Sequence, residues 1–285
     1  MRTGLVLEGG AMRGMFTAGV MDVLMEQKIR FDGAIGVSAG AAFGVNYKSG
    51  QIGRVLRYNL RFCRDARYCG LRSYLQTGDL YNTAFCYGEV PLVLDPFDFA
   101  AYEKNPMTFT VVCTDVCTGK PVYHEYTGYS DHGFDWIRAS ASLPLAANIV
   151  TIDGRQLLDG GMTDSIPLRY FASVGYTRNV VVLTQPQEYR KTPNRLLPLI
   201  RCRYRAYPHL VDALAHRHEM YNREVSYVAA QEKAGKAFVI RPESALPIGK
   251  VEKDPEKICA VYRMGREAAK KVLPALRIFL AQENT

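Results

Sequence analysis

No stretch of the 285 residues approaches the ~18 consecutive apolar positions that a membrane-spanning helix needs. The opening segment, MRTGLVLEGG, has an apolar run of only a few residues before Glu8, too short for the core of a signal peptide. Cysteine pairing is also missing as a pattern. The seven cysteines (Cys63, Cys69, Cys86, Cys113, Cys117, Cys202 and Cys259) are odd in number and scattered, which argues against a disulfide framework and for a reduced, intracellular chain. Histidine is scarce, at five residues, and none clusters near Cys113 and Cys117, so a zinc site is not expected. Neither a repeat nor a low-complexity tract interrupts the chain. Hydrophobic residues at 48% and charged residues at 22% are ordinary globular values and exclude a disordered protein. These absences point to a cytoplasmic protein that meets a membrane, if at all, from its surface.

What is present is an alternation of strand-like and helix-like segments. Thr3 to Leu7 reads as a buried strand ending in glycines. Residues 14 to 27 carry Met15, Val20, Val23 and Leu24 at spacings that suit a helix on a sheet. Phe31 to Val37 is a second strand, and Ala39 to Tyr47 a second helix. That order opens a parallel α/β domain. Residues 51 to 95 break the rhythm and read as a helical or irregular excursion placed to cover a site. Further strands are expected at Met107 to Val116, Lys120 to Tyr126 and Asn179 to Thr184, with a hairpin at Ile149 to Leu158 turning on Asp153-Gly154. A short helix over Trp136 to Ser142 stops at Pro144. After 188 to 207, a basic segment broken by prolines and read as a linker or docking segment, come a helix (about 209 to 234), a strand (Ala237 to Arg241) and a last helix (255 to 281). Its stripe of Ile258, Val261, Ala268, Val272, Leu276 and Phe279 faces a core. The division expected is 1–185 for a catalytic domain and 186–285 for a mostly helical extension packed on it.

Three motifs carry chemistry. Gly36-Val37-Ser38-Ala39-Gly40 lies between a strand and a helix, where a nucleophile elbow belongs. A sharp turn there exposes the serine hydroxyl, Gly36 and Gly40 let the turn close, and the backbone N–H of Ala39 faces a developing oxyanion. Gly9-Gly10-Ala11-Met12-Arg13-Gly14 follows the first strand and leaves backbone N–H groups free to cradle an anion. It fails as a P-loop, because Met15 and Phe16 stand where Lys and Ser/Thr are required. A dinucleotide fingerprint with Asp32 remains open, but an oxyanion loop serving Ser38 explains two motifs at once. Asp159-Gly160-Gly161 places a carboxylate at a turn with little bulk around it. On its own it is an ordinary turn, and it gains meaning from the other two.

Together the motifs resemble those of the patatin-like phospholipase family, over about residues 4 to 170. The resemblance rests on the glycine loop with Arg13, the early elbow at Ser38, the block Ala139-Ser140-Ala141-Ser142-Leu143-Pro144, and Asp159-Gly160-Gly161. It implies a mainly parallel sheet between helices and a Ser38–Asp159 dyad that cleaves lipid esters through an acyl-serine, with Gly10 and Ala11 holding the oxyanion and Arg13 bracing the loop or meeting a phosphate. No metal or other cofactor is implied. Ala11 departs from the family's glycine; if the position needs φ > 0, alanine costs about 1 kcal/mol.

Two rivals remain. The order Ser38, Asp159, then His209, His216 or His218 fits a Ser-Asp-His α/β-hydrolase, although only one strand precedes the elbow strand and two of the histidines sit in a polar helical stretch. A non-catalytic nucleotide- or lipid-binding protein is the other. The net charge of +8 favours anionic partners. Arg190, Lys191, Arg195, Arg201, Arg203 and Arg205 with Tyr189, Tyr204 and Tyr207 suit a solvated basic face or an anionic membrane, and the reading sets nucleic acid below both.

Overall fold

In the computed structural model, which describes residues 2–281, β1 (Arg2–Leu7) sits inside an eight-stranded sheet. Its apolar core, Leu5 to Leu7, is fully buried, as a continuous run in a parallel sheet should be. The glycine loop follows, ends in a 3-10 turn at Ala11–Arg13, and leads into α1 (Gly14–Glu26). α1 is buried around most of its circumference because it lies under the sheet and over other helices, a denser placement than its spacing suggested. β2 (Gly33–Val37) pairs parallel to β1, and α2 (Ala39–Ser49) leaves it after a single residue, Ser38.

The excursion contains α3 (Arg54–Phe62), α4 (Leu71–Thr77), a π-helical segment at Phe85–Leu94 that holds Pro91, and α5 (Phe99–Lys104). The wider π turn is one way to carry a proline, which has no N–H to give an α-helix. β3 (Thr108–Asp115) joins β2 in parallel, and β4 (Pro121–Glu125) runs antiparallel to β3. After α6 (Asp135–Ser140), β5 (Val150–Ile152) and β6 (Arg155–Asp159) form the hairpin expected at Asp153-Gly154, where both residues have positive φ. β6 pairs antiparallel to β3. α7 (Leu168–Ser173) and β7 (Tyr176–Val182) return the chain to the other side of β1.

Residues 188 to 207 differ from the expected linker. They include α8 (Leu197–Arg203), and Ile200 and Tyr204 are buried in a cluster with Leu210 and Leu214. The apolar side of this basic segment lay hidden between its charges. α9 (Pro208–Lys233), β8 (Ala237–Ile240) and α10 (Pro255–Ala281) complete the chain. β8 extends the sheet parallel to β7, giving the order β5-β6-β3-β2-β1-β7-β8 with β4 also on β3. The fold is therefore α/β, with a mainly parallel sheet flanked by helices. No helix among the described residues is long and apolar enough to cross a membrane.

Two contacts fix the walls of the later site. α1 and α10 cross backbone on backbone: a β-carbon at Gly19 would sit on the Tyr262 carbonyl, and one at Gly265 on the Phe16 carbonyl. The excursion is tied down by buried Arg54. It donates to Asn46 Oδ1 of α2 at 2.9 Å and to the Asp95 carbonyl, and pairs with the Asp95 carboxylate at 3.1 Å. Arg57 holds the same carboxylate at 2.7 Å. Removing one partner of a buried pair strands the other charge. Asp95→Ala should therefore lower unfolding free energy by about 3–5 kcal/mol in chemical denaturation; a loss under 1 kcal/mol would show that the pair does not anchor the excursion.

Candidate active site

Ser38 makes the β2-to-α2 turn alone, with φ 56 and ψ −122. Such a backbone costs a non-glycine residue about 1–3 kcal/mol and persists only where its surroundings enforce it. The enforcement is visible. The Ser38 N–H donates to Ser140 Oγ at 2.9 Å, and that hydroxyl donates to the Val112 carbonyl at 2.6 Å. The Ser38 carbonyl accepts from Ala41 and Ala42 at 3.0 and 2.9 Å. Gly40 presses on the Leu7 carbonyl, and Gly36 on Gly40, so any β-carbon at either position would collide. Ala39 opens α2, whose first N–H groups have no partner within the helix.

The glycine loop lies over this elbow. A β-carbon at Gly9 would come within 3.0 Å of that of Ser38, and Gly10 rests on the Thr184 side chain. Ala11 has φ 50, so the alanine stands in the left-handed region that glycine would enter freely. Ala11 and Met12 line a cavity together with Ser38 and Ala39. The Arg13 N–H closes the turn on the Gly10 carbonyl at 3.1 Å, and its Nε is buried without a hydrogen-bond partner. Gly14 starts α1 against Phe43 and Ala39. At the root of the loop, buried Glu8 accepts from the Thr184 N–H at 2.5 Å and from the Tyr221 hydroxyl at 2.7 Å. Burial pushes the Glu8 carboxyl above its ordinary range, while those bonds and the Arg13 charge pull it back.

Asp159 ends β6 opposite Cys113 of β3 and is 1% exposed. Its N–H donates to the Ser142 carbonyl at 2.8 Å, and its Oδ1 accepts from the Gly161 N–H at 2.8 Å. Gly160 lies flat on the Val112 carbonyl. Oδ2 is buried and accepts no hydrogen bond. Burial raises the Asp159 pKa, and the nearby Ser38 hydroxyl is the strongest influence opposing that rise, followed by Arg217, the Gly161 N–H and Lys191. The Ser38 hydroxyl thus lies close enough to the carboxylate to act on it. The 139–144 block acquires a physical role here: Ser140 holds the elbow and Ser142 holds Asp159.

The cavity beside Ser38 has a volume of about 460 Å³. The excursion supplies much of its wall, including Tyr58, Tyr68, Leu80, Tyr81, Tyr87 and Val90. It also contains Arg217 of α9, which local sequence gave no reason to choose. Arg217 Nε donates to the Gly161 carbonyl, coupling α9 to the turn after Asp159. No histidine lines the cavity. His209 backs Gly119, His216 pairs with Asp212 at 3.2 Å, and His218 Nδ1 contacts the Ala215 carbonyl.

Comparison with known proteins gives the family. A family model described as patatin-like phospholipase matches residues 5–172. The chain belongs to the patatin-like phospholipase family. A second model, a domain of unknown function, matches residues 207–281. An uncharacterized Escherichia coli protein is 28% identical over 205 residues, covering 67% of this chain and 54% of that protein. An uncharacterized NTE family protein of Mycobacterium tuberculosis is 30% identical over 185 residues, covering 64% and 48%. A lysophospholipase of Meyerozyma guilliermondii is 30% identical over 170 residues, covering 58% of this chain but 11% of its own. The chain therefore spans about half the length of the first two relatives.

Two outcomes follow for the strained and buried groups. Ala11→Gly relieves a left-handed strain of about 1–2 kcal/mol but adds unfolded-chain entropy worth about 0.4–1 kcal/mol. Its stability should match or slightly exceed the parent's, whereas Ala11→Val should lose both stability and activity; equal behaviour of the two in thermal melts and ester assays would contradict φ 50. For Asp159, the folded carboxyl holds its proton more tightly than the unfolded one. Its contribution is thus favourable below the unfolded value of about 3.9 and is lost as pH rises through the raised folded value. Asp159→Asn removes that loss, so the variant should be at least as stable as the parent at pH 7 and converge with it in acid. A variant less stable at pH 7 than in acid, relative to the parent, would overturn the raised pKa.

Proposed function

We propose that the protein is a lipid acyl hydrolase, a phospholipase or esterase, in which Ser38 is the nucleophile and Asp159 its base. The observation that carries this reading is the unpartnered Asp159 Oδ2, buried beside the one cavity-lining hydroxyl held in a strained elbow. Asp159 takes the proton as Ser38 Oγ attacks the ester carbonyl. The negative charge that develops on the carbonyl oxygen is held by backbone N–H groups of Gly10 and Ala11. Collapse of this intermediate breaks the ester C–O bond, the alcohol leaves with the proton, and an acyl-Ser38 remains. Water, deprotonated by Asp159, then releases the fatty acid and restores Ser38. A carboxylate of ordinary pKa is a weak base for a hydroxyl, and the burial that raises Asp159 brings it nearer to what the step needs.

The apolar excursion wall suits an acyl chain. Exposed Leu196 and Leu199, beside Arg195, Arg201 and Arg203, suit peripheral contact with an anionic bilayer, and the seven free cysteines suit the cytoplasm.

A fluorophosphonate probe should label the parent and not Ser38→Ala. Ser38→Ala and Asp159→Ala should each lower ester hydrolysis by at least about 10³-fold with the fold retained. The triple His209, His216 and His218 change to alanine should leave hydrolysis within a few fold; loss of activity without unfolding would favour a histidine triad. A folded parent that takes no label would favour a non-catalytic lipid or nucleotide binder.

A further inference from the structure

The cavity mouth carries cations that the reaction does not use. Arg217 and Lys250 line it, both from the last third of the chain. Lys191 does not line it, but its ammonium lies 4.3 Å from the Tyr221 ring and feels the charges of Arg217, Glu8, Arg13 and Lys250. Among the described residues none of these four has a carboxylate ion-pair partner within reach, and Arg13 Nε is buried unpaired. The other cavity cations differ. Arg54 is committed to Asp95 and Arg138 to Asp135 at 3.2 Å. The lining carboxylate, Asp79, is occupied by the Thr83 hydroxyl at 3.0 Å and the Asn148 N–H at 2.7 Å. Against these four cations, of which Arg217 also donates to the Gly161 carbonyl, stand Glu8 and Asp159, so even with both ionised an excess of two positive charges remains.

Clustering like charges beside a half-enclosed cavity is unfavourable unless something negative joins them. Burial, ahead of the neighbouring cations, pushes Lys191 down to about 8, which a bound anion would reverse. Guanidinium and ammonium donors beside one cavity suit the tetrahedral oxygens of a phosphate. We propose that Lys191, Arg217 and Lys250, with Arg13 behind them, form a subsite for the phosphate of an anionic glycerolipid, selecting headgroups that carry no compensating cation. This rests on the acyl-hydrolase reading and extends it: the last third of the chain reads the headgroup while the elbow cuts the ester. A choline or ethanolamine headgroup would bring its own positive charge into a site already rich in them.

The test uses short-chain lipids below their micelle concentration, so that surface adsorption plays no part. The parent should cleave dihexanoyl phosphatidylglycerol with kcat/KM about tenfold above dihexanoyl phosphatidylcholine. Lys191→Met and Lys250→Gln should each erase most of that ratio, mainly through KM, and Lys191→Arg should restore it. In a second arm, inorganic phosphate at matched ionic strength should raise the melting temperature of Ser38→Ala, and the added Lys191→Met should remove the rise. No headgroup preference, or a preference and a phosphate shift that persist in the lysine variants, overturns the subsite. A lysine-sensitive phosphate shift in a protein whose parent cleaves no ester would uphold the subsite and sink the acyl-hydrolase reading instead.

Discussion

The positive φ of Ser38 is the constraint around which the other parts are arranged. A serine does not hold that conformation unaided. It is held because β1 offers the Leu7 carbonyl to Gly40, β3 offers the Val112 carbonyl to Ser140, and α6 carries Ser140 to the Ser38 N–H. Each of these contacts needs the parallel order β3-β2-β1 in register. The same α6 segment then fixes Asp159 through Ser142. One short stretch of chain thus sets both the Ser38 backbone and the position of the Asp159 carboxylate. Strain at the elbow and a desolvated acid beside it are costs that the surrounding sheet offsets by burial.

Electrostatics follow the same division of labour. The carboxylates at the centre, Glu8 and Asp159, come from the first two-thirds of the chain and are driven toward their neutral forms by burial. Of the cations that counter this, Arg217 and Lys191 come from the last third and Arg13 from the glycine loop. α9 couples the two halves, with Tyr221 on Glu8 and Arg217 on the Gly161 carbonyl.

Much of this was legible in the sequence because the signals are local. Glycines flanking Ser38, a strand before it and a helix after it are contained in a few residues. So is the hairpin at Asp153-Gly154, where short polar residues tolerate positive φ. The question raised by Ala11 also had a local answer, φ 50, in a loop that keeps its turn despite the added methyl group. What could not be read depends on partners far along the chain. Nothing near Arg217 announces that it will meet Gly161, and nothing in residues 188 to 207 announces that Ile200 and Tyr204 will be buried, since their charges dominate the pattern. The π turn around Pro91 is likewise a product of the packing of the excursion, with no short-range signature of its own.

The glycine crossing of α1 and α10 carries a consequence for how the protein is made. α1 begins directly after the glycine loop, and its backbone face at Phe16 and Gly19 is covered by Gly265 and Tyr262 of α10. A growing chain therefore presents the elbow and its loop well before the helix that packs on α1, and domains form as units once their parts are present. The elbow leaves the ribosome well before the clamp does. The glycine loop and the elbow thus stand beside a helix whose packing is completed only when a far later segment of the chain has been made.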